Sequence, residues 1–162
     1  MVRRKNNRRN DGKPNGRGEE IDYGALAHWV GFNLRMAQAV TFHAFARRAK
    51  EVGTRPGRFA TLMLIGRNPG ISQTALSRAN GRDKSSLTPV LNDLARRGFV
   101  IRQRTRADQR AYRLSLTPAG RRLLAELTRC ARAHERSLDR IIGAKQQNNF
   151  VRVLKRIIAA MG

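Results

Sequence analysis

Acidic residues are scarce in this chain. Its 162 residues hold 11 Asp and Glu against 34 Lys and Arg, a formal charge of +23. So one-sided a chain repels itself until a polyanion neutralises it. Nucleic acid is the commonest such partner, with an anionic membrane second. Long hydrophobic runs are missing too: no apolar stretch approaches the roughly 20 residues that span a bilayer. Met1-Val2-Arg3-Arg4-Lys5 is followed by polar residues, not by the apolar stretch of a signal peptide. The expectation is a cytoplasmic, nucleoid-associated protein with no membrane partner. Cysteine occurs once, at Cys130, which leaves no intramolecular disulfide and no cysteine-built metal site. Set amid helical Leu and Ala, Cys130 reads as a small core residue rather than a redox sensor. Catalytic machinery is also lacking. His28, His43 and His134 are scattered, with no nearby nucleophile and no metal-ligand spacing. Gly66 and Gly70 flank a proline turn and do not open a phosphate-cradling loop. No catalytic residue, metal or cofactor is expected, and an enzyme is the poorest reading.

What is present can build a core, since hydrophobic residues make up 40% of the chain. Residues 1–18 stand apart: Arg3, Arg4, Lys5, Arg8, Arg9, Lys13 and Arg17 face only Asp11. This composition predicts a disordered basic arm. The sequence leaves open whether the arm is only a solvated tail or reaches phosphates and a minor groove. From Ile21 to about Val52 the pattern is helical, with Leu26, Trp29, Phe32 or Asn33, Met36, Val40 and Phe45 at three- and four-residue steps. Gly53 is its expected cap, and Gly24 and Gly31 weaken its first turns. Apolar residues on both faces of residues 19–52 suggest one side for the chain's own domain and one for a second chain.

A short helix is expected next, with Pro56 near its start and Phe59, Leu62, Met63 and Ile65 along it, stopped at Asn68-Pro69-Gly70. Ser72 is the N-cap of a following helix with Ala75, Leu76 and Ala79 inward. Gly81-Arg82 turn the chain, and Asp83 or Ser85 caps a helix that runs to Arg97 with Leu87, Val90, Leu91 and Leu94 inward. Pro89 favours a start near Ser85, or a mild kink. The period then switches to alternation. Phe99–Arg104 and Tyr112–Leu116 read as two strands around a basic hairpin tip, Thr105–Arg110. Thr117 caps, and Pro118 opens, a long helix to about Ile142; Gly143 breaks it before a last amphipathic helix with Phe150, Val151, Leu154, Ile157 and Ile158.

Two short helices around a tight turn, followed by a basic hairpin, form a winged helix-turn-helix. Its second helix enters the major groove and its first braces across the backbone. The fold class is mostly α (α+β): this lobe over residues 53–117, flanked by long N- and C-terminal dimerisation helices, the latter over 118–162. Lys84, Ser85, Ser86, Thr88 and Asn92 are the outward, hydrogen-bonding residues of the recognition helix. Ser72, Gln73 and Arg78 are the candidates on the bracing helix. The wing adds Arg102, Arg104, Arg106 and Arg110, suited to a narrow minor groove, with Asp108 placed to hold an Arg by a bidentate pair.

Residues from about Gly53 to Leu124 resemble the MarR family, the multiple-antibiotic-resistance repressors. The matching pieces are Pro69–Ser77 for the bracing helix and Asp83–Leu91 for recognition, with Leu94–Val100 leading into the wing. Asp108-Gln109-Arg110 matches the family's Asp-x-Arg wing signature, and Leu116-Thr117-Pro118-Ala119-Gly120 its Leu-Thr-x-x-Gly helix start. The resemblance implies a homodimer built from the N-terminal helix and the two C-terminal helices. It implies double-stranded DNA as partner, bound at a pseudo-palindromic operator. It also implies release by a small-molecule effector, a phenol, an aromatic acid or an aromatic thioester. The positions matching an effector cleft are His28, Trp29, Phe32, Arg35 and Met36 on the first helix, with Phe59 and Met63 on the second. Peroxide-sensing members carry a cysteine near the start of the first helix; this chain has none there, so oxidant sensing by that route is not expected. The competing reading is a sequence-indifferent nucleoid-associated or RNA-binding protein, which the total charge suits equally well.

Overall fold

The computed structural model describes residues 21–50, 57–104 and 112–162. The chain divides into two compact units, Met1–Met36 and Ala37–Gly162.

In the first unit the helix begins later than its apolar spacing predicts. A 3-10 turn covers Gly24–His28, Trp29 is extended, and helix α1 runs over Val30–Lys50, past the unit boundary. Local polar bonds account for the delay. Gly24 sits at φ 50 and donates its N–H to Asp22 Oδ1 at 2.8 Å. Asn33 Nδ2 donates to the carbonyls of Ala27 and Trp29 at 3.0 and 2.9 Å, tying the turn to the new helix. Val52, Gly53 and Pro56, expected at the helix end and the next start, lie outside the described residues.

The second unit holds the core. Helix α2 covers Arg58–Arg67 and buries Leu62 and Ile65. Strand β1 is only Ile71–Ser72, and α3 covers Gln73–Ala79. Ser72 caps α3, its Oγ accepting from Ala75 N at 3.2 Å. The inward face of α3 differs from expectation: Ala75 and Ala79 are exposed, and Leu76 and Ser77 are buried. Ser77 can be buried because its hydroxyl donates to the Arg82 carbonyl across the turn. A buried hydroxyl with that partner costs little.

Helix α4, Lys84–Arg96, buries Leu87, Leu91 and Leu94. Its cap is Asp83, so the later start at Ser85 does not hold and Pro89 stands inside the helix, in its second turn. There the ring removes the N–H that would bond the Ser85 carbonyl. Strands β2 (Val100–Arg104) and β3 (Tyr112–Leu116) pair antiparallel, Val100 opposite Leu116 and Arg104 opposite Tyr112. Strand β1 joins the other edge of β3, with Ile71 opposite Leu114, giving the order β1-β3-β2. Two residues are too few to show alternation, so β1 has no signature in the sequence.

Helix α5, Pro118–Ile142, opens on a Thr117 cap whose Oγ1 accepts from Gly120 N at 2.9 Å. Gly120 is fixed by packing: a Cβ there would fall 2.0 Å from the Phe99 carbonyl oxygen. The start of the wing therefore sits directly on the first turn of α5. Leu123 and Leu127 close the core that Leu62, Ile65, Leu76, Leu87, Leu91, Leu94, Leu114 and Leu116 fill. Gly143, at φ 83, ends α5, and α6 follows over Ala144–Met161 with no buried residue. Cys130, on α5, is half-buried with its Sγ 3.8 Å from the Arg48 carbonyl.

Candidate nucleic-acid interface

The leucines of α4 leave one face outward. Helical spacing places Ser85, Pro89, Asn92 and Arg96 opposite the buried Leu87, Leu91 and Leu94, with Lys84 and Thr88 on one flank and Ser86 and Asp93 on the other. Lys84, Ser85, Ser86, Pro89 and Asn92 are exposed and Thr88 is half-buried.

These polar groups are not equally available. Asp83 Oδ1 accepts from Ser86 N at 2.7 Å and from Ser85 Oγ at 2.5 Å. The Ser85 hydroxyl first, then the Ser86 N–H, lowers the Asp83 carboxyl from 3.8 to about 2. Ser86 Oγ donates back to the Asp83 carbonyl at 3.1 Å. Both serine protons are thus spent on the helix cap, and the hydroxyls face outward as acceptors. Thr88 Oγ1 donates to the Lys84 carbonyl at 2.7 Å and accepts from Gln73 Nε2 at 2.8 Å. Gln73 therefore positions a recognition-helix hydroxyl from the bracing helix. The side chains of Lys84 and Asn92 make no hydrogen bond or ion pair among the described residues. Asn92 alone among these exposed groups offers both a donor and an acceptor to a base edge.

On the bracing helix, Ser72 is occupied as the α3 cap and Gln73 is half-buried, whereas Arg78 is exposed. At the base of the wing, the exposed Arg104 lies over the Tyr112 ring at 5.6 Å and donates to its hydroxyl at 3.2 Å. Arg113 donates to the Gly70 carbonyl at 3.2 Å, tying the wing to the turn before α3. Arg102 is half-buried, and its Nε and Nη2 have no partner. Arg106, Asp108 and Arg110 lie outside the described residues.

Spacing alone had missed Pro89, which stands on the exposed face of α4 and presents an apolar ring where a thymine methyl can be met. Its only sequence signal is a proline placed among helix-compatible residues. Asp93 was also missed; it pairs with Arg58 at 2.6 Å and Arg96 at 2.7 Å, joining α4 to the first turn of α2.

The effector candidates fall into both units. In the first, His28 and Trp29 are exposed, the Phe32 ring lies 5.6 Å from Tyr23, and the Arg35 guanidinium stands 5.2 Å over Phe32 and contacts Met36 Sδ at 3.5 Å. In the second, Phe59 and Met63 are half-buried on α2, and Phe59 meets Phe45 edge-on at 5.6 Å. Among the described residues no cluster of His, Cys, Asp and Glu could hold a metal ion, and no helix is long and apolar enough to cross a membrane.

Comparison with known proteins places this geometry. The MarR family model matches residues 53–111. A putative transcriptional regulatory protein for the hcr operon of Thauera aromatica is 33% identical over 152 residues, 93% of this chain and 92% of that one. The transcriptional repressor CouR, solved on a 23-mer DNA duplex, superposes with a TM-score of 0.80 at 30% identity, over 86% of this chain and 99% of CouR. CouR bound to p-coumaroyl-CoA superposes with a TM-score of 0.78 at 28% identity, over 86% and 98% of the two chains. The expected winged helix-turn-helix, its capped helices and its resemblance therefore agree with its relatives, and the chain belongs to the MarR family of DNA-binding transcription regulators.

Proposed function

We propose that this protein is a homodimeric repressor that reads a pseudo-palindromic operator through α4 and the wing, and that a small aromatic acid or aromatic thioester releases it. The observation that carries the reading is the outward face of α4. It joins a free cation, Lys84, and a free amide, Asn92, to a capped and internally braced row of hydroxyls. Lys84 suits a phosphate and Asn92 an adenine edge. The arginines of the wing, with Arg106 and Arg110 at its tip and Asp108 to orient one of them, suit a narrow minor groove.

Dimerisation is supported by what α6 leaves uncovered. Phe150, Val151, Val153 and Ile158 are exposed on a helix with no buried residue. An amphipathic helix without a buried face is ordinarily stabilised by a partner. The effector reading is supported by CouR, which has been solved with p-coumaroyl-CoA. In this chain His28, Trp29, Phe32, Met36, Phe59 and Met63 offer rings and apolar surface, and Arg35 offers a cation for a carboxylate or phosphate.

The test is selection of genomic fragments by the purified protein at physiological salt, followed by footprinting. A short protected inverted repeat is the expected result. Length-dependent binding with no preferred site would leave a sequence-indifferent packaging protein instead, since phosphate contacts alone carry no sequence information.

A further inference from the structure

Behind the recognition helix, in the second unit, lies a cleft of about 500 Å³ that none of the effector candidates above lines. Its walls are Phe42 and Ala46 from α1, Pro89 and Val90 from α4, and Arg58, Arg82 and Asp93. Most of the lining is hydrocarbon. The charged groups at its edge are unequal. Arg58 is already paired with Asp93 at 2.6 Å, both largely buried, and Asp93 takes Arg96 on its other oxygen. The half-buried Arg82 guanidinium lies against the backbone of Gly57, where a Cβ would come within 3.2 Å of Nη2. Among the described residues it has no carboxylate and no hydrogen-bond acceptor.

We propose that this cleft is a second small-molecule site, one that takes a compact monoanion with an apolar body. Its negative group meets Arg82, and its hydrocarbon packs between Phe42 and the Pro89-Val90 segment. A cation at the edge of a cleft of this size and polarity selects for one negative charge on a mostly apolar frame. A dianion gains little, because the second guanidinium is neutralised by Asp93. A neutral analogue leaves Arg82 without its counter-charge. The position is also suited to control. Pro89 marks the turn of α4 that lacks a backbone hydrogen bond, so the occupant seats against the least braced part of the recognition helix. Occupancy and DNA affinity are then linked, each altering the other by the same factor. That regulatory role rests on the DNA-binding reading above, whereas binding of the anion does not.

The test uses the full-length protein, methyl-labelled at Ala and Val, with benzoate as probe and benzamide as its uncharged counterpart. Benzoate is expected to shift the Ala46 and Val90 methyl signals saturably, with benzamide at least about tenfold weaker, the scale of a charge-assisted bond. Arg82→Gln should weaken benzoate by about tenfold, and Ala46→Leu, which fills the cleft from another helix, should abolish the shifts. Arg35→Gln should leave them intact. Equal shifts from benzoate and benzamide, or shifts that survive both Arg82→Gln and Ala46→Leu, would overturn the proposal, as would no saturable shift at these methyls. DNA binding measured on the same samples without probe reports separately on the operator reading.

Discussion

The DNA-reading lobe and the C-terminal helices are made from the same kinds of residue and end in opposite states. In the lobe, Leu62, Ile65, Leu76, Leu87, Leu91, Leu94 and Leu114 are all at 0% exposure. Helix α5 joins that core with its first half and leaves it with its second, where Ile141 is 81% exposed. Helix α6 keeps Ile158 at 69% and Met161 at 85%. The lobe completes its apolar packing within one chain. The C-terminal helices have the amphipathic pattern without the burial, which is how half of an interface looks before its other half is present.

The sharpest way to break this contrast is to cut the lobe's core. Leu91→Ala should cost about 2–5 kcal/mol of stability, seen as a lower midpoint in thermal or urea unfolding. A change within error would mean the lobe is not packed as described. Next in size, Phe150→Ser with Ile158→Ser should weaken self-association by about 1.5–3 kcal/mol for each side chain a partner covers. Sedimentation equilibrium would show the mass falling toward one chain while helical content persists. An unchanged mass would take α6 out of the interface.

Smaller effects test the recognition face. Asn92→Ala should lower discrimination between the operator and a single-base variant by about 1–3 kcal/mol. Ser86→Ala should change it less, because its proton already serves the cap. Equal losses in a competition assay would mean that the internal bonds do not set availability. The gentlest test is pH. Asp83 is lowered in the folded chain to about 2 from 3.8. The stabilisation it gives the cap is therefore complete above the ordinary value and is lost as pH falls through the folded one. Acid unfolding followed between pH 4 and pH 2 should lose part of its slope in Asp83→Asn, which keeps a capping oxygen without a titrating proton. An identical slope would place the acid sensitivity elsewhere.

Much of the lobe was legible because its signals are local. The spacing of Leu87, Leu91 and Leu94, the capping residues Ser72 and Thr117, and the switch to alternation at the wing each act over a few neighbouring residues. The start of α1 was not legible, since Trp29 and Phe32 keep helical spacing while Asp22 and Asn33 spend their side chains on a turn ahead of the helix. The inward face of α3 was misjudged because Ala resembles a core residue, whereas Ser77 becomes one only through a bond to Arg82. The state of the recognition face was hidden for the same reason. Polar residues at outward positions can be read from spacing, but the bond from Gln73 to Thr88 joins two helices and exists only once both are packed. Pro89 and Val90 looked like a helix defect and a core residue; only the fold shows that they wall a cleft with Arg82.

The central claim is that α4 and the wing read sequence and do not merely hold phosphate. The most direct measurement is competition, at fixed physiological salt, between the footprinted repeat and a scrambled duplex of the same length and composition. The account predicts that the repeat is held roughly a thousandfold or more tightly. Equal affinity for the two would contradict it.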